Sequence, residues 1–245
     1  MKVRLDKLLV EKEMADTRSK AVALIMAGDV IVNGRVITKA GTPVDSESSI
    51  TLKETFPYVG RAALKLEAAL DFFKVNPKGK IAIDIGASTG GFVDILLKRG
   101  AKRVYAVDVG HSQLHWKLRN HRKVVNLEGI NARTLDKTLI PELCDIATFD
   151  VSFISLKLVI PPVLEVLRSN SDIIALIKPQ FEAGREHVKR GGIVKDEGVI
   201  LEAISDIKSF LINKGLYVSG VIPSPIKGAK GNQEYLMHAV YKVDI

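Results

Sequence analysis

The sequence predicts an α/β protein in which a doubly wound sheet follows a small N-terminal α+β domain. After residue 57, five short apolar segments of buried-strand type alternate with amphipathic segments, which is the pattern of βαβ units. Residues 1–56 instead combine helical periodicity with short strands. We therefore expect a first domain over residues 1–56, a linker over residues 57–64 and a larger domain over residues 65–245.

Two helices and a hairpin are predicted in the first domain. Apolar residues recur at helical spacing in two places: Leu5, Leu8, Leu9, Ala21, Leu24 and Ile25. Thr17 or Ser19 is placed to cap the second helix, and Gly28 is placed to end it. Asn33 and Gly34 separate two short β segments and supply the positive φ angles of a tight turn. The polar stretch that follows predicts a loop and one further short strand.

The larger domain is predicted to begin with a helix from about residue 61 to residue 73. Five buried strands follow, in the segments KIAIDIG, RVYAVDVG, KVVNLEG, CDIATFDVS and DIIALIKP. Amphipathic segments that predict helices lie at residues 91–99, 112–119, 133–139, 157–168 and 196–214. The last two strands are LYVSGVIP and EYLMHAVYKV, and we expect the final one to run antiparallel.

Composition limits the possible classes of protein. The 245 residues carry a formal net charge of +8, which suits a polyanionic partner, although a basic protein that is merely soluble has the same balance. A single cysteine, Cys144, excludes an intrachain disulfide and favours a reducing compartment. The charged N-terminus lacks a signal-peptide pattern, and no stretch reaches the ~20 apolar residues of a membrane span. We expect a cytoplasmic protein that does not associate with membranes.

The strongest local signal is the segment IAIDIGASTGGFVDILLKRG, in which a strand ends near Asp84 and a helix begins at about Gly91. Its glycines tolerate positive φ and let a ligand approach the backbone closely. The spacing G-x-x-x-G-G differs from the G-x-G-x-x-G of dinucleotide sites, and Asp84 suits a cationic sulfonium better than a pyrophosphate. A tight turn without a ligand is the alternative. The expected cofactor-binding residues of this turn are Asp84, Gly86, Ser88, Gly90, Gly91 and Phe92.

Two further polar residues follow strand ends of the predicted sheet. Asp108 ends the second strand, where a carboxylate can accept hydrogen bonds from both hydroxyls of a ribose. It indicates a cofactor that contains a ribose without fixing its identity, and capping of the following helix is the alternative. Asn131 follows the third strand and is a candidate for contact with an adenine edge, or simply a loop residue.

The turn DIGASTGG, together with DVSFISL, LIKPQFE and GNQEYL, resembles the TlyA-type hemolysin family over the whole chain. The N-terminal pattern is similar to the small RNA-binding domain of ribosomal protein S-four. The resemblance implies a Rossmann-like methyltransferase sheet similar to that of the FtsJ/RrmJ proteins. It also implies methyl transfer from S-adenosylmethionine to a ribose 2′-hydroxyl of ribosomal RNA within a ribosomal subunit. No metal and no obligate protein partner are expected.

The family's catalytic set of two lysines and two carboxylates falls by motif position on Lys65, Asp150, Lys178 and Glu234. The predicted fold independently brings three of them to one edge of the sheet. Asp150 and Lys178 follow the fourth and fifth strands, where ligands of such sheets bind, and Glu234 begins the antiparallel strand. Taken singly, each residue has an ordinary structural explanation, such as an ion pair at strand ends or a solvated lysine.

Methyl transfer to a ribose requires an activated hydroxyl, because an alcohol is a poor nucleophile at neutral pH. A lysine whose pKa is lowered by burial or like charge can act as the base, and a lysine cation can instead stabilise the forming alkoxide. We assign this role to Lys178. Asp150 would orient the lysines, while Lys65 and Glu234 would position Lys178 and the ribose.

RNA contacts are expected from both domains. Four residues match the RNA-facing positions of the S-four-like domain and one opens the larger domain: Arg4, Arg18, Ser19, Lys20 and Arg61. A solvated helix face is the alternative, because residues 1–56 carry 9 Lys and Arg against 8 Asp and Glu. The glycine-bearing segments EAGREHVKRGGIV and PSPIKGAKGNQE are expected to frame the RNA cleft.

Three other functions compete with an rRNA 2′-O-methyltransferase. A non-catalytic RNA-binding or ribosome-assembly factor predicts a broken catalytic set, yet all four positions are intact. A membrane-active hemolysin predicts an apolar insertion segment, and none is evident in the sequence. A small-molecule methyltransferase leaves the N-terminal domain unexplained. The methyltransferase that acts on rRNA is therefore the leading hypothesis.

Overall fold

The computed structural model describes residues 2–53, 57–189 and 191–242. It divides into two compact units, Met1–Pro57 and Tyr58–Ile245. In chain order the first unit contains β1 (Lys2–Arg4), α1 (Leu5–Glu11), α2 (Arg18–Ala27), β2 (Val30–Val32), β3 (Arg35–Val36), β4 (Pro43–Asp45) and β5 (Ile50–Leu52). Strand β2 pairs with β3 and β5, and β1 pairs with β4; all of these pairings are antiparallel.

Local sequence sets the boundaries of these small elements. Thr17 caps α2 by accepting a backbone N–H at 3.2 Å, whereas Ser19 lies inside the helix and is not its cap. Gly28 ends the helix with a φ of 76°. Asn33 and Gly34, with φ of 48° and 78°, confirm the predicted hairpin turn between β2 and β3. The polar stretch that follows holds two strands, β4 and β5, where one was predicted. The prediction missed one of them because a three-residue strand is too short to show alternation in the sequence.

The second unit is a seven-stranded sheet covered by helices. In chain order it contains α3 (Ala63–Phe72), β6 (Ile81–Ile85), α4 (Gly91–Lys98), β7 (Arg103–Asp108), α5 (Trp116–Arg119), β8 (Val124–Glu128), β9 (Cys144–Phe149), α6 (Leu156–Leu164), β10 (Leu167–Ile177), α7 (Pro179–Glu182), α8 (Glu197–Asn213), β11 (Leu216–Pro223) and β12 (Tyr235–Tyr241). The strand order is β11-β12-β10-β9-β6-β7-β8. Strands β6 to β10 are parallel, and β12 is antiparallel to both neighbours. The predicted sheet and its antiparallel last strand are confirmed.

Both faces of this sheet are buried. Ile83 and Ile85 point into one hydrophobic cluster, whereas Ala82 points into the other, as the alternation of a strand requires. Burial on both faces explains why these strands are continuous apolar runs in the sequence. Cys144 is fully buried in the first cluster, so its predicted place in the core is confirmed.

Some predicted helices are wrong or shorter than expected. The helix predicted over residues 133–139 is absent, and the structure has only a 3-10 turn, Ala132–Thr134. Asp136 explains this, because its Oδ1 accepts the backbone N–H groups of the second and third residues after it, at 2.9 and 3.3 Å. The segment over residues 112–119 is helical only in α5. That over residues 157–168 is helical only in α6, because β10 begins soon afterwards.

The carboxyl ends of the parallel strands bring four polar residues to one edge of the sheet. Asp108 ends β7, Asp150 follows β9, and Lys178 follows β10. Glu234 precedes β12, whose antiparallel direction places its start at this same edge. Doubly wound sheets bind their ligands at this edge.

Candidate active site

A turn with three positive φ angles joins β6 to α4. Gly86, Ser88 and Gly90 have φ of 84°, 47° and 97°, and α4 begins at Gly91 as predicted. The chain approaches itself closely here: a Cβ on Gly86 would lie 2.6 Å from the carbonyl oxygen of Asp150, and one on Gly90 would lie 2.3 Å from a methyl of Leu118. The turn therefore requires glycine at both positions and presents backbone groups to any ligand beside it.

Asp84 is a fully buried carboxyl group directly before this turn. Its Oδ1 accepts a hydrogen bond from Thr148 Oγ1 at 2.6 Å, whereas Oδ2 has no hydrogen-bond partner within the described residues. Burial raises the pKa of Asp84 to about 8; the bond from Thr148 opposes this, and the carboxylates of Asp150 and Asp108 add to it. A cation placed against Oδ2 would satisfy the orphaned atom and favour the ionised form.

Two buried lysine–carboxylate pairs meet beside this turn. Lys65 Nζ lies 2.5 Å from Glu234 Oε2, and Lys178 Nζ lies 2.6 Å from Asp150 Oδ1. Lys178 Nζ also donates to Ser152 Oγ at 2.9 Å. Lys65, Lys178 and Glu234 are each less than a tenth exposed. The four residues come from separate parts of the chain, and all of them line one cavity of about 500 Å³.

A second cavity of about 450 Å³ adjoins the first, and the two share Gly86, Ser88, Asp150, Ser152 and Phe153 in their walls. Asp108 and Asn131 line this second cavity. The carboxylate of Asp108 accepts the N–H of Ser88 at 2.8 Å and that of Gly110 at 2.7 Å. Asp108 thus fixes the glycine turn and its own loop rather than capping a helix.

Asn131 and Phe92 complete the set of residues expected around the cofactor. The side-chain oxygen of Asn131 accepts the backbone N–H of Arg133 at 3.1 Å and so caps the short 3-10 turn. Phe92 is buried on α4 and forms part of the wall of the first cavity. Together with the glycine turn, these residues line two adjoining cavities, one at Asp108 and one at the two lysine–carboxylate pairs.

The two glycine-bearing loops form the outer wall of the first cavity. Its lining includes Val188 and Gly192 from one loop and Gly228, Ala229 and Lys230 from the other. Asn232 joins the loops, because its amide donates to the carbonyl oxygen of Gly192 at 2.7 Å and accepts the N–H of Val194 at 3.0 Å. Arg190, which belongs to the first loop, lies outside the described residues.

Three lining residues stand out among those that were not assigned from the sequence. Ser152 holds Lys178, as described above, and Gln180 Oε1 is buried without a partner among the described residues. Phe153 has a φ of 64°, is 88% exposed, and lies 5.0 Å from the ring of Phe181. An apolar aromatic ring so exposed at a strand end is unusual, but neither its exposure nor its φ can be read from a sequence.

The N-terminal cations are tied to carboxylates. Arg4 Nε and Arg18 Nε lie 3.0 and 2.9 Å from the two oxygens of Asp6, a residue that is 1% exposed. These guanidinium groups hold the pKa of Asp6 well below its ordinary value, the hydrogen bond from Arg4 contributing most. Lys20 pairs with Asp16 at 2.6 Å. Both arginines remain half-exposed, so a phosphate would share them with Asp6. Ser19 and Arg61 are exposed.

Known proteins are similar to this chain over nearly its whole length. YqxC of Bacillus subtilis, provisionally named an rRNA methyltransferase, is 47% identical over 239 residues, which cover 97% of this chain and 85% of YqxC. The 16S/23S rRNA (cytidine-2′-O)-methyltransferase TlyA of Mycobacterium tuberculosis is 39% identical, with 96% of this chain and 89% of TlyA covered. A solved structure from Streptococcus thermophilus, provisionally named a hemolysin, has a TM-score of 0.75 at 41% identity and covers 98% of this chain and 89% of its own.

Family models match both units of the chain. Residues 3–50 match the S4 domain. Residues 58–241 match the FtsJ-like methyltransferase model, which covers the whole sheet and both lysine–carboxylate pairs. The chain therefore belongs to the FtsJ-like methyltransferase family.

Proposed function

We propose that this protein transfers a methyl group from S-adenosylmethionine to a ribose 2′-hydroxyl of ribosomal RNA. The observation that carries the proposal is the meeting of Lys65–Glu234 and Lys178–Asp150 around one cavity beside the glycine turn. Membership of the FtsJ-like family supports methyl transfer. The name of the M. tuberculosis relative supports the ribose of rRNA as the acceptor.

The residues of the two cavities fit S-adenosylmethionine. The orphaned Oδ2 of Asp84 lacks the cationic or hydrogen-bonding partner that the amino acid end of this cofactor would provide. Asp108 in the second cavity suits a ribose, and Asn131 suits the adenine beside it. Gly86 and Ser88 would meet the cofactor between these ends, with Gly90, Gly91 and Phe92 shaping the turn. When bound, the cofactor supplies a methyl group made electrophilic by the sulfonium.

The protein's own residues must hold the ribose hydroxyl and handle its proton. Asp150 and Ser152 fix the Nζ of Lys178 within the cavity. As a neutral amine, Lys178 would take the proton of the ribose hydroxyl as its O–H bond breaks; as a cation, it would stabilise the developing alkoxide. The Lys65–Glu234 pair lines the same cavity and would limit the positions open to the ribose. Such positioning supplies about 7–11 kcal/mol in comparable reactions, more than a single proton transfer contributes.

The RNA is proposed to be ribosomal RNA within a ribosomal subunit. The N-terminal S4 domain supports an RNA partner, and its exposed cations would contact phosphates. We assign this contact to Arg4, Arg18, Ser19 and Lys20, and to Arg61 in the larger unit. A protein that modifies rRNA is expected to work in the cytoplasm.

Two alternatives are less well supported. A lytic activity is suggested by the name of the S. thermophilus relative; none of the helices in the described ranges has both the length and the apolarity needed to cross a membrane. A non-catalytic assembly factor would not need two buried lysine–carboxylate pairs, each of which costs desolvation free energy to maintain.

The test is methylation of unmodified ribosomal subunits with labelled S-adenosylmethionine. A blocked 2′-hydroxyl cannot attack the neighbouring phosphate, so we expect the labelled linkage to resist alkaline hydrolysis. Label that enters RNA but stays at an alkali-sensitive linkage would indicate methylation of a base and contradict the proposal. Transfer to free nucleosides, but not to RNA, would indicate a small-molecule methyltransferase.

A further inference from the structure

Residues 111–123, with the sequence HSQLHWKLRNHRK, form a strongly basic stretch of the larger unit. They contain no Asp or Glu, and their cationic and titratable side chains are Lys117, Arg119, Arg122, Lys123, His111, His115 and His121. The four lysines and arginines in these thirteen residues contribute a charge of +4, which equals half of the formal net charge of +8. A surface of this composition favours a polyanion over a protein partner.

An aromatic pair stands in the middle of this 111–123 segment, in which the indole is exposed and the imidazole is half-buried. Trp116 is 65% exposed, and its ring lies 5.9 Å from that of His115 with an angle of 29° between the planes. The ammonium of Lys117 lies 5.8 Å from the centroid of the indole ring. An exposed indole with a cation beside it combines the two devices by which proteins hold single-stranded nucleic acid, stacking on a base and contact with the backbone.

The segment is held rigidly although it contains only one helical turn. Glu128 Oε1 accepts the backbone N–H groups of Gln113 and Leu114 at 2.7 and 2.9 Å, and its carboxylate pairs with Arg119 at 3.1 Å. The hydrogen bond from Leu114, followed by those from Asn126 and Gln113, outweighs the effect of burial and lowers the pKa of Glu128 to about 2. The aromatic pair is therefore presented from a fixed backbone, which reduces the entropy lost on binding.

The segment also lies directly against the proposed catalytic cavity. The N–H of His115 donates to the carbonyl oxygen of Thr89 at 3.2 Å, and Thr89 lines the cavity that holds the four charged residues. Leu114 and Leu118 pack against Gly90 of the glycine turn. A polynucleotide whose ribose reached Lys178 would pass close to this surface.

We propose that Trp116, His115 and Lys117 bind an RNA nucleotide that flanks the methylated one. Trp116 stacks on its base, and Lys117 contacts its phosphate. This assignment rests on the proposed function and adds to it a second, sequence-tolerant contact that holds single-stranded RNA at the mouth of the site.

The experiment compares Trp116→Ala and Trp116→Phe with Tyr217→Ala. Tyr217 is a matched control, because it is 60% exposed and has Lys242 over its ring at 5.5 Å, but lies on β11 at the opposite edge of the sheet. RNA binding is measured by titration with a protein-free single-stranded rRNA fragment, and methylation with the same fragment and with intact subunits. Melting temperatures verify that each variant is folded.

We expect Trp116→Ala to weaken RNA binding and to raise KM about 5- to 150-fold, the range for loss of one stacking contact, with kcat nearly unchanged. Trp116→Phe should keep most of the affinity, and Tyr217→Ala should match the wild type. Unchanged RNA affinity in Trp116→Ala would overturn the inference while leaving the proposed function in place. A defect confined to intact subunits would assign this surface to a ribosomal protein and would also overturn it. Wild-type protein that neither binds nor methylates RNA would instead contradict the proposed function.

Discussion

Replacing Asp84 with asparagine distinguishes the effect of this carboxyl on the stability of the protein from its proposed role in cofactor binding. The carboxyl is fully buried, and one of its oxygens has no hydrogen-bond partner within the described residues. Asparagine keeps the acceptor for Thr148 Oγ1, which donates at 2.6 Å, but cannot ionise. The change therefore removes the charge while leaving the shape of the site nearly intact.

The magnitude follows from the pKa of Asp84, which burial raises from 3.8 to about 8. A raised pKa in the folded state gives stability that is fully present below pH 3.8 and is lost as pH rises to about 8. At pH 7 the unfolded chain has released this proton and the folded chain retains it. At 1.36 kcal/mol per unit, the loss at pH 7 is on the order of 4 kcal/mol. Asp84→Asn should not undergo this loss. Its free energy of unfolding should therefore exceed that of the wild type by an amount that grows from pH 4 to pH 8.

The assay is denaturant unfolding of the cofactor-free protein between pH 5 and pH 9. Trp116, the single tryptophan, lies in the larger unit and reports its unfolding by fluorescence. Asp145→Asn is the control, because Asp145 lies on the neighbouring strand and pairs with Arg168 at 2.9 Å. Asp84→Asn should also bind S-adenosylmethionine more weakly than the wild type. A difference in unfolding free energy between Asp84→Asn and wild type that stays constant across this pH range would refute the reasoning.

Three further predictions concern the site and the N-terminal unit. Lys178→Ala should lower kcat about 10²- to 10⁴-fold without weakening cofactor binding in a calorimetric titration. The control variant Lys157→Ala should be active, because Lys157 pairs with Asp206 outside the cavity. Wild-type turnover in Lys178→Ala would remove Lys178 from the mechanism. Gly86→Ala should cost about 1–3 kcal/mol in denaturant unfolding, because its Cβ would meet the backbone of Asp150, and should weaken cofactor binding. Asp6→Asn should lower the unfolding free energy of the N-terminal unit by about 1–3 kcal/mol, because it removes the negative charge that accepts three hydrogen bonds from Arg4 and Arg18. Far-ultraviolet circular dichroism would detect the change; an unchanged transition would show that these contacts are not structural.

The periodicity of the sequence was sufficient to predict the central sheet, because strands such as β6 and β9 are buried on both faces and are therefore continuous apolar runs. It failed where side chains compete with the backbone. The helix expected over residues 133–139 is prevented by Asp136, which bonds to the backbone ahead of it. The three-residue strands of the N-terminal unit are too short for any pattern to emerge.

The charged residues of the site could be located from the strand ends and the motifs, but their pairing could not. Nothing in the sequence shows that Lys65 contacts Glu234 rather than Asp150, since this depends on the packing of α3 beside β12. The same holds for Ser152, whose contact with Lys178 arises from the loop after β9. The role of Asp108 in fixing the turn through Ser88 is equally a property of the folded chain.

The position of β12 sets the order in which the site can be completed during synthesis. Among the strands of the described residues it is translated last, yet it lies inside the sheet between β10 and β11, and Glu234 precedes it directly. A nascent chain that still has this strand in the exit tunnel holds Lys65 without its carboxylate partner and leaves one edge of β10 open. The set of two lysines and two carboxylates therefore becomes complete only after β12 has left the exit tunnel and entered the sheet between β10 and β11.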